Sequence, residues 1–372
     1  MSARFLTAVS GRAFNMRDRF GREIDYMRIS VIDSCNLNCY YCNPQDNNKN
    51  CQAINILSVK KVLCIVRAAT RLGITHFRLT GGEPLLHPQI DEMVSQIKKI
   101  PGVRSVSLTT NAVLLAQHAK QLKEAGIDSI NVSLDTIDAS EYEYITKKPL
   151  LDKVEHGIDA AIECGIRVKI NAVLTPQTDV VALTRYASKK GTDIRFIEMM
   201  PVGEGHTNGV EPYKKVIGAL LEVYGTPCHI DTENREEINS GYNNADNGPA
   251  EYYSFHGLNI RVGLIQAIHG KFCDTCNRIR VTADGRLMPC LGSSVTMDLV
   301  PDSCEFTDDL EKDFVIAQAL KAAIKAKPRC HNFNDNAVTY TKTTETKTVE
   351  TKTTELKAAE VNAARNMSRI GG

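Results

Sequence analysis

The 372-residue chain has no excess of either charge: 45 Lys and Arg stand against 44 Asp and Glu, a formal +1. That balance excludes a global field recruiting nucleic acid or an anionic membrane, so an anionic partner must meet a local basic cluster. Long apolar runs are missing too. The N-terminal stretch has no apolar core of signal-peptide length, and no segment is long enough to cross a bilayer. Without a secretory signal, twelve cysteines argue for a reducing compartment, the cytoplasm, and against disulfides. The Arg-rich N-terminus, with few acids before Asp18, keeps a mitochondrial reading open. Metal ligands also fall short. Six cysteines form two triplets, Cys35/Cys39/Cys42 and Cys273/Cys276/Cys290, each one short of the four ligands of a structural zinc site. Three thiolates suit an iron–sulfur cluster with one iron open to another molecule. The other six (Cys51, Cys64, Cys164, Cys228, Cys304, Cys330) are scattered and take no role. Cys64 and Cys164 fit buried inert thiols, while Cys51 and Cys330 fit surface ones.

From residue 27 to 225, short apolar segments alternate with helical ones. The strand candidates are 27–32, 76–81, 103–110, 129–135, 167–174 and 193–199, rich in Val and Ile as strands covered on both faces should be. Amphipathic runs lie between and after them at 57–73, 87–100, 114–126, 152–165, 181–191 and 213–225. Six βα units imply a parallel sheet, curled into an incomplete barrel or open and doubly wound. Either way, chemistry collects at the carboxyl ends of the strands. The unusual residues lie there. The first triplet follows strand one, Gly81-Gly82-Glu83-Pro84 follows strand two, and Thr109-Thr110-Asn111 ends strand three. Ser133 and Asp135 end strand four, Asn171 lies in strand five, and Glu198 to Met200 end strand six.

Beyond residue 225 a polar stretch (226–252) gives way to short strands at 258–265 and 278–290 around the second triplet. Asp284-Gly285 signals a hairpin, and 309–327 reads as a helix. Residues 339–357 repeat Thr, Lys and Glu and cannot bury a face, so they read as a solvated linker. The chain then divides into an N-terminal extension (1–26), a barrel (27–225), a C-terminal region (226–335), a linker (336–360) and a tail (361–372) ending Gly371-Gly372. Within the C-terminal region, Arg278 and Arg280 are two apart on a strand and share a face. Two fork-shaped cations beside a metal site suit a polyphosphate or another planar anion.

Cys35-x3-Cys39-x2-Cys42, with Tyr41 before the last cysteine, resembles the signature of the radical S-adenosylmethionine (SAM) superfamily. Gly81-Gly82-Glu83-Pro84 resembles its next motif, in which bare backbone and a carboxylate hold the amino group of SAM. Together with residues 25–42, the segments TGGEPLL, TTNAVLL, NVSLDT, VKINAVL, IRFIEMMPVG, the second triplet, KPRCHNFN and the terminal Gly-Gly resemble the GTP 3′,8-cyclase family of molybdenum cofactor biosynthesis.

The resemblance implies an α/β fold: an incomplete (β/α)6 TIM-type barrel with a C-terminal extension carrying a second iron–sulfur cluster. Two [4Fe–4S] clusters and SAM would be the cofactors, held on Cys35, Cys39 and Cys42 and on Cys273, Cys276 and Cys290. SAM contacts would come from Tyr41, Gly82, Ser133 and Met200. GTP contacts would come from Arg28, Arg78, Thr109, Lys169, Arg195, Arg278, Ile279 (through backbone) and Arg280. A triphosphate carries about four negative charges and needs several such cations. Gly371 and Gly372 would reach into the site. An external electron donor, a downstream pyranopterin-forming enzyme and a homodimer are the partners implied.

The chain departs from the family where His76 stands in place of a Lys or Arg, leaving one phosphate contact open to question. His87-Pro88 replaces a more basic pair, and the 339–357 linker looks like an insertion. Other readings stay open. The first triplet fits a zinc knuckle, the second a zinc ribbon completed by His269 or His256. The strand cations fit buried ion pairs with Glu83, Asp135 or Glu198. The whole chain fits another two-cluster radical SAM enzyme modifying a peptide or protein, or a zinc-stabilised binding module without redox chemistry.

Overall fold

The computed structural model describes residues 16–42, 54–202, 209–230, 248–293, 295–299, 309–331 and 333. Strands β1 (Tyr26–Ser30), β2 (His76–Thr80), β3 (Ser105–Thr110), β4 (Ser129–Ser133), β5 (Arg167–Val173) and β6 (Asp193–Ile197) run parallel, each paired with the next. Helices α1 (Val59–Thr70), α2 (Ile90–Lys98), α3 (Leu115–Glu124), α4 (Ala139–Thr146), α5 (Leu151–Glu163) and α6 (Val180–Lys190) alternate with them, and α7 (Pro212–Tyr224) follows. Helix α4 is the one the periodicity does not predict. Of its eight residues only Tyr142, Ile145 and Thr146 are buried, too few to make an amphipathic signal.

The C-terminal region joins the same sheet from both edges. Strand β9 (Val262–Ile265) runs parallel to β6, with β7 (Cys228–Ile230) and β8 (Glu251–Ser254) antiparallel beyond it. Strand β10 (Arg278–Val281) runs parallel to β1, with β11 (Arg286–Met288) and β12 (Met297–Asp298) beyond. The result is a twelve-stranded sheet, β12-β11-β10-β1-β2-β3-β4-β5-β6-β9-β8-β7. The expected hairpin at Asp284-Gly285 links β10 to β11. Helix α8 (Asp309–Ala326) packs on α1, where Arg67 grips the Asp313 carboxylate at 3.0 and 3.2 Å.

Side-chain alternation divides the sheet into two faces. Met27, Ile29, Phe77, Leu79, Val106 and Leu108 pack outward into the hydrophobic core, as do Ile130, Val132, Ile170, Ile194 and Phe196. The opposite positions are polar and surround a cavity of about 340 Å³. The strands are therefore covered on both faces, as expected, but the inner face is chosen for a ligand rather than for packing. Among the described residues no helix is long and apolar enough to cross a membrane. The N-terminal stretch to residue 15, Cys51, Cys304, the linker and the tail with Gly371 and Gly372 lie outside the described residues.

Candidate active site

The loop after β1 carries the first triplet, and three elements fix it. Val31 N–H donates to Thr80 O at 2.9 Å, while Asn38 and Tyr40 donate to Thr146 O (3.0 Å) and Ile145 O (3.1 Å) at the end of α4. The turn after β2 docks against it through Gly82 N–H to Ile32 O (2.7 Å) and Glu83 N–H to Ser34 O (2.8 Å). Glycine is required here by proximity. A Cβ on Gly82 would lie 2.1 Å from Ser34 O, and one on Gly81 2.4 Å from Ile32 O. Cys35, Cys39 and Cys42 all line the cavity.

Burial first, then neighbouring negative groups, push the Cys35 thiol up to about 11 and Cys42 up to about 12, and raise Cys39. Three thiolates this close are stable only with a positive metal centre between them, which suits the soft donor set of an iron–sulfur cluster. Beside them Glu83 is fully buried, and burial lifts it to about 7 although Asn111 N–H (2.8 Å), Thr110 Oγ1 (2.7 Å) and Leu85 N–H (3.0 Å) all donate to it. Tyr41 donates to Asp135 Oδ2 at 2.5 Å, and Val173 N–H to Asp135 Oδ1 at 2.8 Å. Asn111 Nδ2 lies 3.8 Å from Cys35 Sγ and donates to Asn36 Oδ1 at 2.7 Å.

The second triplet lines the same cavity. Cys273 opens a short 3-10 turn, closed by Cys276 N–H to Cys273 O at 3.2 Å, and Cys290 follows β11. Burial raises the Cys273 thiol. Burial also opposes ionisation of Cys276, but Arg278 and Lys327 overcome it and bring the thiol down to about 6. Neither triplet, among the described residues, is closed around a point suited to a single metal ion. His269, a candidate fourth ligand, turns Nδ1 to Glu198 instead. Neither it nor His256 lines the cavity.

Between the triplets stands a row of cations. Arg280, Arg28 and Arg78 are register partners across β10, β1 and β2, and Arg278 lies one pleat earlier on β10, level with Tyr26. Like charges directly opposite one another destabilise a sheet. Burial, then Arg280, Arg78 and Arg278, hold Arg28 well below the usual guanidinium range, and burial with Arg278 brings Arg280 to about 10. Arg78 donates Nε to the Tyr26 hydroxyl and Nη1 to Leu108 O at 3.2 Å. Burial favours the neutral Tyr26 phenol, yet Arg78 and Arg28 draw it below its ordinary value. Arg195, across the cavity on β6, donates Nε to Asn171 Oδ1 at 2.9 Å. Among the described residues neither Arg78 nor Arg195 is paired with a carboxylate. Glu83, Asp135 and Glu198 spend their oxygens on other groups. The hydroxyls of Thr80 and Thr109 and Asn131 Oδ1 are buried at the cavity without a hydrogen-bond partner among the described residues.

The cavity thus gathers both triplets, Tyr41, Gly82, Ser133, Met200, Arg28, Arg78, Thr109, Arg195, Arg278 and Arg280. Met200 also packs on the small apolar cluster of Val202, Ala267, Met288 and Phe333. Two expected residues do not line it. Ile279 points outward into the core, leaving only its main chain inward. Lys169, fully buried, sits one pleat below Asn171 on the inner face. His76 also lies off the cavity, stacked on Tyr26 and 3.8 Å from Asp25. His87 is structural: its Nε2 meets Leu57 O at 2.9 Å and Nδ1 accepts from Gln89 N–H. Sequence reasoning places Asn111 at the end of strand three but gives no role to it, to Tyr26 or to Lys327. Tyr26 carried a signal, since it precedes Arg28 on the same inner face; Lys327 carried only its place at the head of the segment KPRCHNFN.

Residues 29–183 match the family model described as Radical SAM superfamily, and residues 192–333 the one described as Molybdenum Cofactor Synthesis C. A GTP 3′,8-cyclase of Clostridium perfringens is 36% identical over 321 residues, 86% of this chain and 95% of that protein. One from Pelotomaculum thermopropionicum is 36% identical over 85% of this chain and 95% of its own length. Among solved structures, Streptococcus suis SuiB bound to S-adenosylmethionine aligns with a TM-score of 0.54 at 17% identity, over 80% of this chain and 65% of that one. That likeness concerns the fold.

Proposed function

The chain belongs to the GTP 3′,8-cyclase family of radical SAM enzymes, and from that premise we propose that the cavity binds SAM at one end and GTP at the other, with the arginine row between. The enzyme catalyses the first step of molybdenum cofactor biosynthesis, with SAM and a [4Fe–4S] cluster. Cys35, Cys39 and Cys42 would hold a [4Fe–4S] cluster, which when bound would supply the one electron that converts SAM to methionine and a 5′-deoxyadenosyl radical. This radical would take the hydrogen at C3′ of GTP, and the ribose carbon would then join C8 of guanine. One further electron and a proton complete the product. An external donor must supply the electrons, and a pyranopterin-forming enzyme would receive the product.

Gly82 offers bare backbone, and Glu83 a carboxylate, to the amino group of SAM. Tyr41, Ser133 and Met200 border the rest of that molecule. Cys273, Cys276 and Cys290 would hold a second [4Fe–4S] cluster, which would help to orient the guanine. Arg28, Arg78, Arg278 and Arg280 take the triphosphate, helped by Thr109 and Arg195, with Lys169 behind and the Ile279 main chain alongside. Holding both molecules in one water-poor cavity sets C3′ against the radical. The cation row carries this reading, because three guanidinium groups abreast on a buried face call for a polyanion.

The test is turnover. Reconstituted enzyme with SAM, a strong reductant and GTP should yield 5′-deoxyadenosine and the cyclised nucleotide. Arg278→Ala and Arg280→Ala should each lower turnover at least tenfold while iron stays at about eight per chain. Equal turnover of ATP would overturn the substrate assignment, and iron loss in either variant would make these arginines structural.

A further inference from the structure

Lys327 is almost fully buried, at 2% exposure, beside the second triplet. Its Nζ donates to Arg278 O at 2.8 Å and to Pro289 O at 3.0 Å. These carbonyls belong to the residue two after Cys276 and the residue just before Cys290. Among the described residues no carboxylate lies within 4.0 Å of that ammonium. Burying an ammonium against neutral carbonyls alone is costly. The lining of the cavity nearby offers the natural counter-charge, the thiol groups of the triplet.

Arg22 completes the arrangement from the other side. It is buried at 8% exposure and donates Nη1 to the carbonyl of Cys273 itself at 2.7 Å. The same guanidinium donates to Arg329 O at 2.9 Å and Pro328 O at 2.6 Å, and Asp18 anchors its Nε at 2.6 Å. Segment 327–329 is therefore a hub. One cation reaches from it to the Cys276 and Cys290 halves of the triplet, and another ties it to Cys273.

We propose that Lys327 and Arg22 are positioning residues for the second cysteine triplet, clasping the main chain beside all three cysteines, and that Lys327 also neutralises the bound cluster. This rests on the reading that the triplet holds a [4Fe–4S] cluster. A positive charge next to a cluster favours its reduced, more negative state. Lys327 would thus hold that cluster at a higher potential than the same three thiolates would alone.

The experiment uses full-length reconstituted protein in a Cys35→Ala/Cys39→Ala/Cys42→Ala background, so that only the second site can hold iron. With Lys327 intact, about four irons per chain and the electron paramagnetic resonance signal of a reduced cluster are expected. Fewer than one iron would sink the two-cluster reading itself. Lys327→Met should either lose most of that iron or give a cluster with an altered signal and a lower potential, while Lys327→Arg restores the signal. Arg22→Met should lose iron, and Arg22→Lys should recover part of it. If Lys327→Met keeps its iron, its signal and its potential, the clasp is refuted. Should the Met variants fail to fold by circular dichroism, the conservative variants decide: Lys327→Arg must keep the wild-type potential and Arg22→Lys must hold part of the iron but not all of it, and full iron in Arg22→Lys with a shifted potential in Lys327→Arg would refute the clasp.

Discussion

A buried carboxylate without a cation beside it prefers its proton, and Glu83 is in that position until SAM arrives. Burial lifts it from 4.5 to about 7. The folded protein therefore binds this proton more tightly than the unfolded chain does. The stability it brings is complete below about pH 4.5 and is lost as pH rises through about 7. At about 1.4 kcal/mol per unit, the loss is on the order of 3 kcal/mol. Glutamine imitates the protonated acid. Glu83→Gln should match the ligand-free wild type at pH 5 and exceed its stability at pH 8 by up to about 3 kcal/mol in denaturant melts. The same substitution removes the acceptor for the amino group of SAM and should weaken SAM binding about tenfold or more by calorimetry. A variant gaining stability without losing SAM affinity would remove Glu83 from the site. Function at this position costs stability.

Between elements, the decisive contact is the one between the cysteine loop and the turn after β2. Gly82→Ala places a Cβ 2.1 Å from Ser34 O, and neither backbone can retreat without breaking the 2.7 and 2.8 Å bonds that join them. Gly191, which ends α6 at φ +66 with open space around it, costs only about 1 kcal/mol on the same change. Gly82→Ala should therefore lose about half of the eight irons, and Gly191→Ala none, by metal analysis after reconstitution. The β2 turn was legible in the sequence because a motif and a strand end coincide there. The six βα units were equally legible, their apolar periods being local. Helix α4 was not, because its ties to the cysteine loop are carbonyls at Ile145 and Thr146, which no side-chain pattern reports. Nor were the pairings of β10 with β1 and β9 with β6, since strand partners roughly 250 and 70 residues apart leave no local trace. The segment KPRCHNFN was legible, but the contacts of its first residue, Lys327, were not, because they lie with two distant carbonyls.

At the scale of the whole molecule, the two family regions form one sheet. Residues 192–333 supply β9 and β10, which cover the open sides of β6 and β1, and Arg22 ties the first strand's approach to Cys273, Pro328 and Arg329. Helix α8 adds the grip of Asp313 on Arg67 and Arg71 across α1. A chain cut after residue 225 would bare the inner row of arginines and two long sheet edges at once, and bare edges pair with other chains. That fragment should aggregate, and it should lack both a cooperative melt and SAM cleavage, although it retains the whole first triplet. The full chain should unfold in one transition, with loss of helix signal and exposure of buried tyrosines coinciding. Two separated transitions, or a soluble fragment that assembles its cluster and cleaves SAM, would mean that the barrel stands without its C-terminal strands. The geometry argues against that, because Arg280 and Arg28 face the cavity side by side only while β10 holds the edge of β1.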